Sequence, residues 1–190
     1  MTRARGTGLV ALVLLAAVLV WGLFVGLPRW VAVRRTAPAP PPPAAATAEP
    51  ERKIRARLFY VADDGHGLAG VEREVAYGSD PAAQARAILE AQFAEPTAPL
   101  VSAIPAGTKV RAVYVAGADA YVDLTNEIVT AHPGGSLNET LTVQTVVAAI
   151  TANLPAVTRV QILVDGKEVD SLSGHVDLRQ PLTRSDDWVR

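Results

Sequence analysis

The chain has 190 residues, no cysteine and a formal net charge of -1, with 49% hydrophobic and 19% charged residues. Without cysteine there is no disulfide, no thiolate nucleophile and no thiolate-bound zinc or iron–sulfur cluster. The balanced charge removes a phosphate-tracking nucleic-acid surface, which needs concentrated Lys and Arg.

Taken in chain order, residues 1–8 form a short tail, and residues 9–27 then run without a charge as LVALVLLAAVLVWGLFVGL. As a helix this run covers roughly 28 Å, close to the hydrocarbon thickness of a bilayer. A single transmembrane anchor is expected over 9–29, with Trp21 and Trp30 in or just past its second half. A cleaved signal peptide fits less well, because the run is long and the nearest A-x-A pattern, Ala37-Pro38-Ala39, lies far downstream beside Pro40. Arg3 and Arg5 on one side against Arg29, Arg34 and Arg35 on the other leave the orientation open by charge alone. Gly22 and Gly26 form one GxxxG, which permits close helix–helix approach and leaves a homo-oligomer open.

Residues 30–54 read as a juxtamembrane linker. Its centre, TAPAPPPPAAATAEP at 36–50, cannot form helix or central strand, because proline fixes φ and lacks a donor. As an extended spacer, residues 36–53 reach up to roughly 55 Å at about 3.1 Å per residue.

The domain is expected over 55–184, followed by a tail at 185–190. RARLFYVA at 55–62 reads as a strand, DDGHG as a turn, and VEREVA at 71–76 as a half-exposed strand. Asp80-Pro81 opens a helix whose stripe is Ala82, Ala85, Leu89 and Phe93, with Ile88 beside it, and Pro96 and Pro99 stop it. IPAGT at 104–108 is a turn leading into the strand KVRAVYV, which AYVDL at 120–124 should pair antiparallel after the tight AGAD connection. A second helix begins at Ser136, where Ser136 and Glu139 fit a capping box. Val143, Val147, Ile150 and Leu154 form its apolar stripe. Its four threonines lower intrinsic helicity, so it depends on packing. Pro155 ends it, and TRVQILV at 158–164 follows as a strand.

The fold class expected from this order is α+β: a small mixed or antiparallel sheet with two main helices on one face. Runs of Val, Ile and Leu long enough for a sheet covered on both faces are missing, which disfavours a doubly wound nucleotide-binding fold.

The stretch LVDGKEVDSLSGHVDL at 163–178 holds the densest polar chemistry. Asp165-Gly166 between apolar strands is a hairpin signal, so Asp165, Lys167 and Glu168 read as solvated turn residues. A paired-carboxylate mechanism needs two acids across a cleft, one of them partly desolvated, and a hairpin tip supplies no desolvation. His175 reads as a residue bonding local backbone and ordering the last segment. His66, His132 and His175 lack metal-ligand spacing. DDGHG lacks the later acidic ligand of a calcium loop, HPGGS lacks the GKS/T ending of a phosphate loop, and no serine sits in a GxSxG elbow. No catalytic residue, cofactor or metal ligand is assigned from the sequence.

LFYVADDG at 58–65, the helix after YGSDP at 77–81, EPTAP at 95–99, IPAGTKV at 104–110, AYVDLTNEI at 120–128, GGS at 134–136 and VQILVDGKEVDSLSGHVDLRQPL at 160–182 together resemble the GerMN domain. This family serves sporulation and spore germination and includes many membrane-tethered or lipoprotein members. The resemblance covers residues 55–184 or so. It implies a non-enzymatic domain outside the cytoplasm that assists envelope assembly through protein–protein contacts, with the N-terminus cytoplasmic. It also marks Asp123, Gly166, His175, Asp177 and Pro181 as family-like architectural positions, with Pro105 and Gly107 shaping the approach to the strand at 109–115. One copy of the domain is present, and there is no lipobox cysteine.

Two function classes follow. The first is a tethered interaction or scaffold domain docking an envelope protein by a sheet edge or helix face. The second binds or hydrolyses cell-wall glycan, and predicts a concave pocket near Asp63, Asp64, Asp123 or His175 with a carboxylate displaced in pKa.

Overall fold

The computed structural model describes Leu14, residues 16–21 and residues 52–190. The chain divides into two units, Met1–Ala48 and Glu49–Arg190. In the first, Leu14 and residues 16–21 are helical, and Leu14, Val18, Leu19, Val20 and Trp21 are all exposed. Among the described residues no helix is long and apolar enough to cross a membrane. The rest of the anchor expected at 9–29, and the proline tract at 36–50, lie outside the described residues.

The second unit is α+β, with two sheets where one was expected. Strands β1 (Lys53–Val61) and β2 (Leu68–Ala76) form an antiparallel pair of their own, in register from Lys53↔Ala76 to Val61↔Leu68. The other sheet has the order β3-β4-β5-β6, from β3 (Val110–Ala116), β4 (Asp119–Leu124), β5 (Arg159–Val164) and β6 (Lys167–Glu168). It is mixed: β4 and β5 run parallel, and the outer pairings are antiparallel.

Side-chain amides explain why the sheets stay separate. Gln92 accepts from the Phe59 amide and donates to the Phe59 carbonyl, both at 2.7 Å. Asn153 does the same for Arg57, at 2.8 Å in each direction. Val61 donates to the Val101 carbonyl. From Arg57 to Val61 the free edge of β1 is thus satisfied, and the burial of Gln92 is matched by its two bonds.

Helix α1 (Pro81–Phe93) begins as its sequence dictates: Asp80 accepts the Ala83 amide at 2.9 Å and Pro81 occupies the first turn. Its buried face is Ala85, Ile88, Leu89 and Gln92. A short helix α2 (Glu127–Thr130), not anticipated from the sequence, precedes α3 (Ser136–Thr151) in the connection from β4 to β5.

Helix α3 is buried all round from Leu141 to Ile150, not along a single stripe. It packs on α1, on β1 and on β5, so it meets elements of both sheets. That placement corrects the expected single layer of helices over one face. Burying Val143, Val146, Val147 and Ile150 contributes roughly 2 kcal/mol each. That outweighs the few tenths lost at each β-branched threonine. Thr140, Thr145 and Thr151 moreover donate to the carbonyls four residues back.

The expected Ser136–Glu139 capping box is absent. Gly135, at φ 85, is the N-cap, Ser136 is the first helical residue, and no side chain caps the helix. The Glu139 carboxylate is engaged elsewhere, as described below. Residues 185–190, read as a tail, bond to the domain: Leu68 donates to the Trp188 carbonyl and accepts from Arg190, and Arg190 reaches Asp64 at 2.7 Å.

Candidate functional site

The polar stretch 163–178 divides into two turns, each held by a buried carboxylate from elsewhere in the chain. Asp165 (φ 49) and Gly166 (φ 76) form the left-handed corner of the β5–β6 hairpin. The Gly166 amide donates to Asp123 at 2.7 Å. Arg111 donates to the other Asp123 oxygen at 3.0 Å and to Asp165 at 3.2 Å. The structure therefore brings Asp123 and Gly166 into direct contact. The Asp123 side chain is only 10% exposed, while that of Arg111 is 46% exposed, so the pair is buried on one side only.

The second turn wraps Glu139. Its carboxylate is fully buried in the first turn of α3 and accepts three amides: Leu172 at 2.8 Å, Ser173 at 2.9 Å and His175 at 2.8 Å. The His175 ring nitrogen Nδ1 stands 3.2 Å from the same carboxylate, and Gly174 takes φ 91 to aim the amides inward. Burial pushes the Glu139 pKa up, but the amides of Ser173, His175, Leu172 and Val176 together outweigh it and hold the acid below its usual range. The helix start adds its own positive field. Sequence reasoning gave Glu139 to a cap of its own helix. The clue it passed over was SLSGH, where a glycine among small polar residues suits an anion-binding nest of amides.

His132 lies beside this cradle. Its Nδ1 accepts the Gly134 amide at 2.9 Å, and its Nε2 is 3.3 Å from the Thr142 hydroxyl, which donates to the Ala103 carbonyl at 2.7 Å. Burial lowers the His132 pKa. His66 instead sits in the exposed turn at 63–67, bonded to Asp64. Among the described residues no group of three His, Asp or Glu side chains is placed to hold a metal ion.

Concavities mark the surface formed by the described residues. One, of about 480 Å³, lies between the end of α1 and residues 100–107, with Phe93, Pro96, Val101, Pro105 and Gly107 in its wall. Pro105 and Gly107 (φ 83) build one turn there, closed by both the amide and the hydroxyl of Thr108 donating to the Pro105 carbonyl. A second, of about 390 Å³, shares Phe93 and Ala94 with the first. A third, of about 350 Å³, is lined by Ser171, His175, Asp177 and Arg179. Asp177 is held by Arg179, whose side chain and amide push its pKa down to about 2. Pro181 precedes Leu182, which exchanges two hydrogen bonds with Val160 and so lies along β5.

A pocket thus stands beside His175, with Asp170 and Asp177 in its lining, while the buried Glu139 bonds the His175 amide. Asp177 and Glu139 are both held below the usual carboxylate range. Glycoside hydrolysis needs one carboxyl group kept protonated as the acid. Of the other named acids, Asp63 and Asp64 lie on the exposed turn, and Asp123 is engaged by Arg111 and the Gly166 amide.

Sheet edges tell a different story. Gln92, Asn153 and Val101 close β1, and Leu182 covers β5 at Val160. The outer edge of β2 carries Glu72 and Glu74, charges that discourage strand addition. The outer strand β3 is capped only at one end, where Arg86 donates to the Val110 and Arg111 carbonyls. Beyond that point Ala112–Ala116 carries no charge, and Tyr114 is 61% exposed.

The domain is small and α+β, with the free edge of β1 bonded by side-chain amides and an end strand, β3, uncharged from Ala112 to Ala116. The sequence profile of the Germane family, described as sporulation and spore germination, matches residues 57–170, and the chain belongs to that family. The first GerMN domain of the sporulation protein GerM from Bacillus subtilis superposes with TM-score 0.52 at 17% identity, covering 70% of this chain and 99% of that one. The tandem GerMN domains of the same protein give 0.51 at 15% identity, covering 70% of this chain and 46% of the pair. A candidate lipoprotein from Clostridium perfringens gives 0.50 at 23% identity, covering 69% and 87%. At these identities the structures speak for the fold. No curated protein sequence matches the chain.

Proposed function

We propose that this protein is a membrane-tethered, extracytoplasmic interaction domain of the cell envelope without enzymatic activity. The uncharged free edge of β3 is its docking element. The observation that carries the reading is the contrast among the sheet edges: β1 is bonded by side-chain amides at Arg57 and Phe59, β2 is charged, and β3 carries the uncharged run Ala112–Ala116 with Tyr114 exposed at its centre. An extended segment of an envelope protein adds to such an edge by main-chain hydrogen bonds, with Tyr114 as an aromatic anchor. The charge-free run at 9–27 and the proline tract at 36–50 support a single-pass tether, and the family membership supports an N-terminus in the cytoplasm. Confinement to one membrane raises effective concentration, so a weak edge contact suffices.

The test places a photo-crosslinking amino acid at position 114, and separately at position 72, in the full chain within its native envelope. One discrete adduct is expected from position 114 and none from 72, and Tyr114→Lys should weaken co-purification of the captured protein. Equal labelling from both positions, or none from 114, rejects the docking edge. Release of the chain from membranes by alkaline washing rejects the tether independently.

A further inference from the structure

The polarity of the hydrogen bonds around His132 is fixed by its partners. The Thr142 hydroxyl has one proton, and that proton goes to the Ala103 carbonyl at 2.7 Å. Toward His132 the hydroxyl oxygen can only accept, so Nε2 must carry a proton to bond across the 3.3 Å gap. On the other side of the ring, the Gly134 amide is a donor and Nδ1 at 2.9 Å must be bare. Only the neutral imidazole protonated at Nε2 satisfies both contacts. The ring therefore links the turn at 132–135, with Gly134 (φ 80) and Gly135 (φ 85), to helix α3 through Thr142, whose hydroxyl in turn bonds the Ala103 carbonyl.

We propose that His132 is an acid-sensitive latch: neutral, it holds the 132–135 turn against α3, and protonation at Nδ1 expels the Gly134 amide and frees the turn. An imidazolium has a donor at each nitrogen, so the Gly134 N–H would face another N–H. Two charged or titratable groups face the ring. The Glu139 carboxylate of α3 favours the imidazolium, and His175 of the 171–176 loop opposes it. The 102–104 segment brings Ser102, Ala103 and Ile104, none of which titrates. Burial comes first among the influences on the ring and lowers its pKa. The sign follows: the unfolded chain binds the proton more readily, so the latch contributes fully above about pH 6.5 and is lost as pH falls below it. This device stands apart from the β3 edge and does not depend on it.

The experiment is a pH titration of the full chain labelled with 15N-histidine and 15N-glycine in detergent micelles. His132 is assigned by difference from His66→Gln and His175→Gln. The expected result is a neutral His132 protonated at Nε2, with a midpoint below 6.5, and a Gly134 amide that shifts with the same midpoint and exchanges at least tenfold faster on the acid side. His132→Asn retains an acceptor that does not titrate, so the acid response of Gly134 should vanish. Should that variant fail to fold, Thr142→Val serves: it removes an acceptor that bonds the imidazolium at least as well as the neutral ring, so the midpoint should fall further below 6.5. A neutral ring protonated at Nδ1, a midpoint at or above 6.5, or a Gly134 amide indifferent to the titration overturns the latch.

Discussion

The two turns of the 163–178 stretch solve one problem in two ways. At the hairpin, Asp123 is stabilised by a cation, Arg111, and by a single amide from Gly166. At the following loop, Glu139 is deeper, has no Lys or Arg beside it, and is stabilised by three backbone amides. A carboxylate met by a half-exposed guanidinium keeps contact with solvent and is screened by salt. One enclosed by amides has exchanged its hydration shell for fixed dipoles and is nearly indifferent to salt. The difference shows that a buried acid in this domain is a fastener for backbone, and that depth decides whether charge or amides do the fastening.

The strongest way to break the comparison is Glu139→Gln. The amide keeps one acceptor but turns a donor toward the Leu172–His175 amides, and urea unfolding should show a loss of about 3 kcal/mol. The same variant tests the pH dependence. Because the folded pKa of Glu139 is lowered, its contribution is present above the usual value of 4.5 and is lost as pH falls below it. Glu139→Gln should flatten the stability profile there, and an unchanged acid limb would show the cradle to be irrelevant.

Next in size are the left-handed glycines. Gly174→Ala and Gly166→Ala force a Cβ onto φ 91 and φ 76, and each should cost roughly 1–2 kcal/mol by denaturation although neither new methyl meets an atom closer than 4.0 Å. Asp123→Asn should cost about 1 kcal/mol, and this loss should shrink in 1 M salt while the Glu139→Gln loss does not. Smallest is Arg179→Ala. Its pair with Asp177 is exposed on both sides, and the unfolding midpoint at neutral pH should not move measurably.

Much of the domain was legible residue by residue. Asp80-Pro81 caps and starts α1, Asp165-Gly166 turns the hairpin, and Pro155 follows the end of α3, because each acts on its own neighbours. Glu139 was misread for the opposite reason: Ser136 three residues before it satisfies the local pattern of a cap, and the competing amides come from 33 to 36 residues away. Two sheets were taken for one because nothing local announces that Gln92 and Asn153 will imitate a strand along β1. The all-round burial of α3 was hidden by its threonines, which are polar on paper and satisfied within the helix in fact.

By itself the sequence determined the membership of the family, the order of the longer elements and the places where the backbone must bend, since these follow from motif order, periodicity, proline, glycine and short-range capping. Only the tertiary structure decided which polar side chains go inside and which strand edge stays open. Those outcomes turn on which donors and acceptors, far apart along the chain, reach one another once water is excluded.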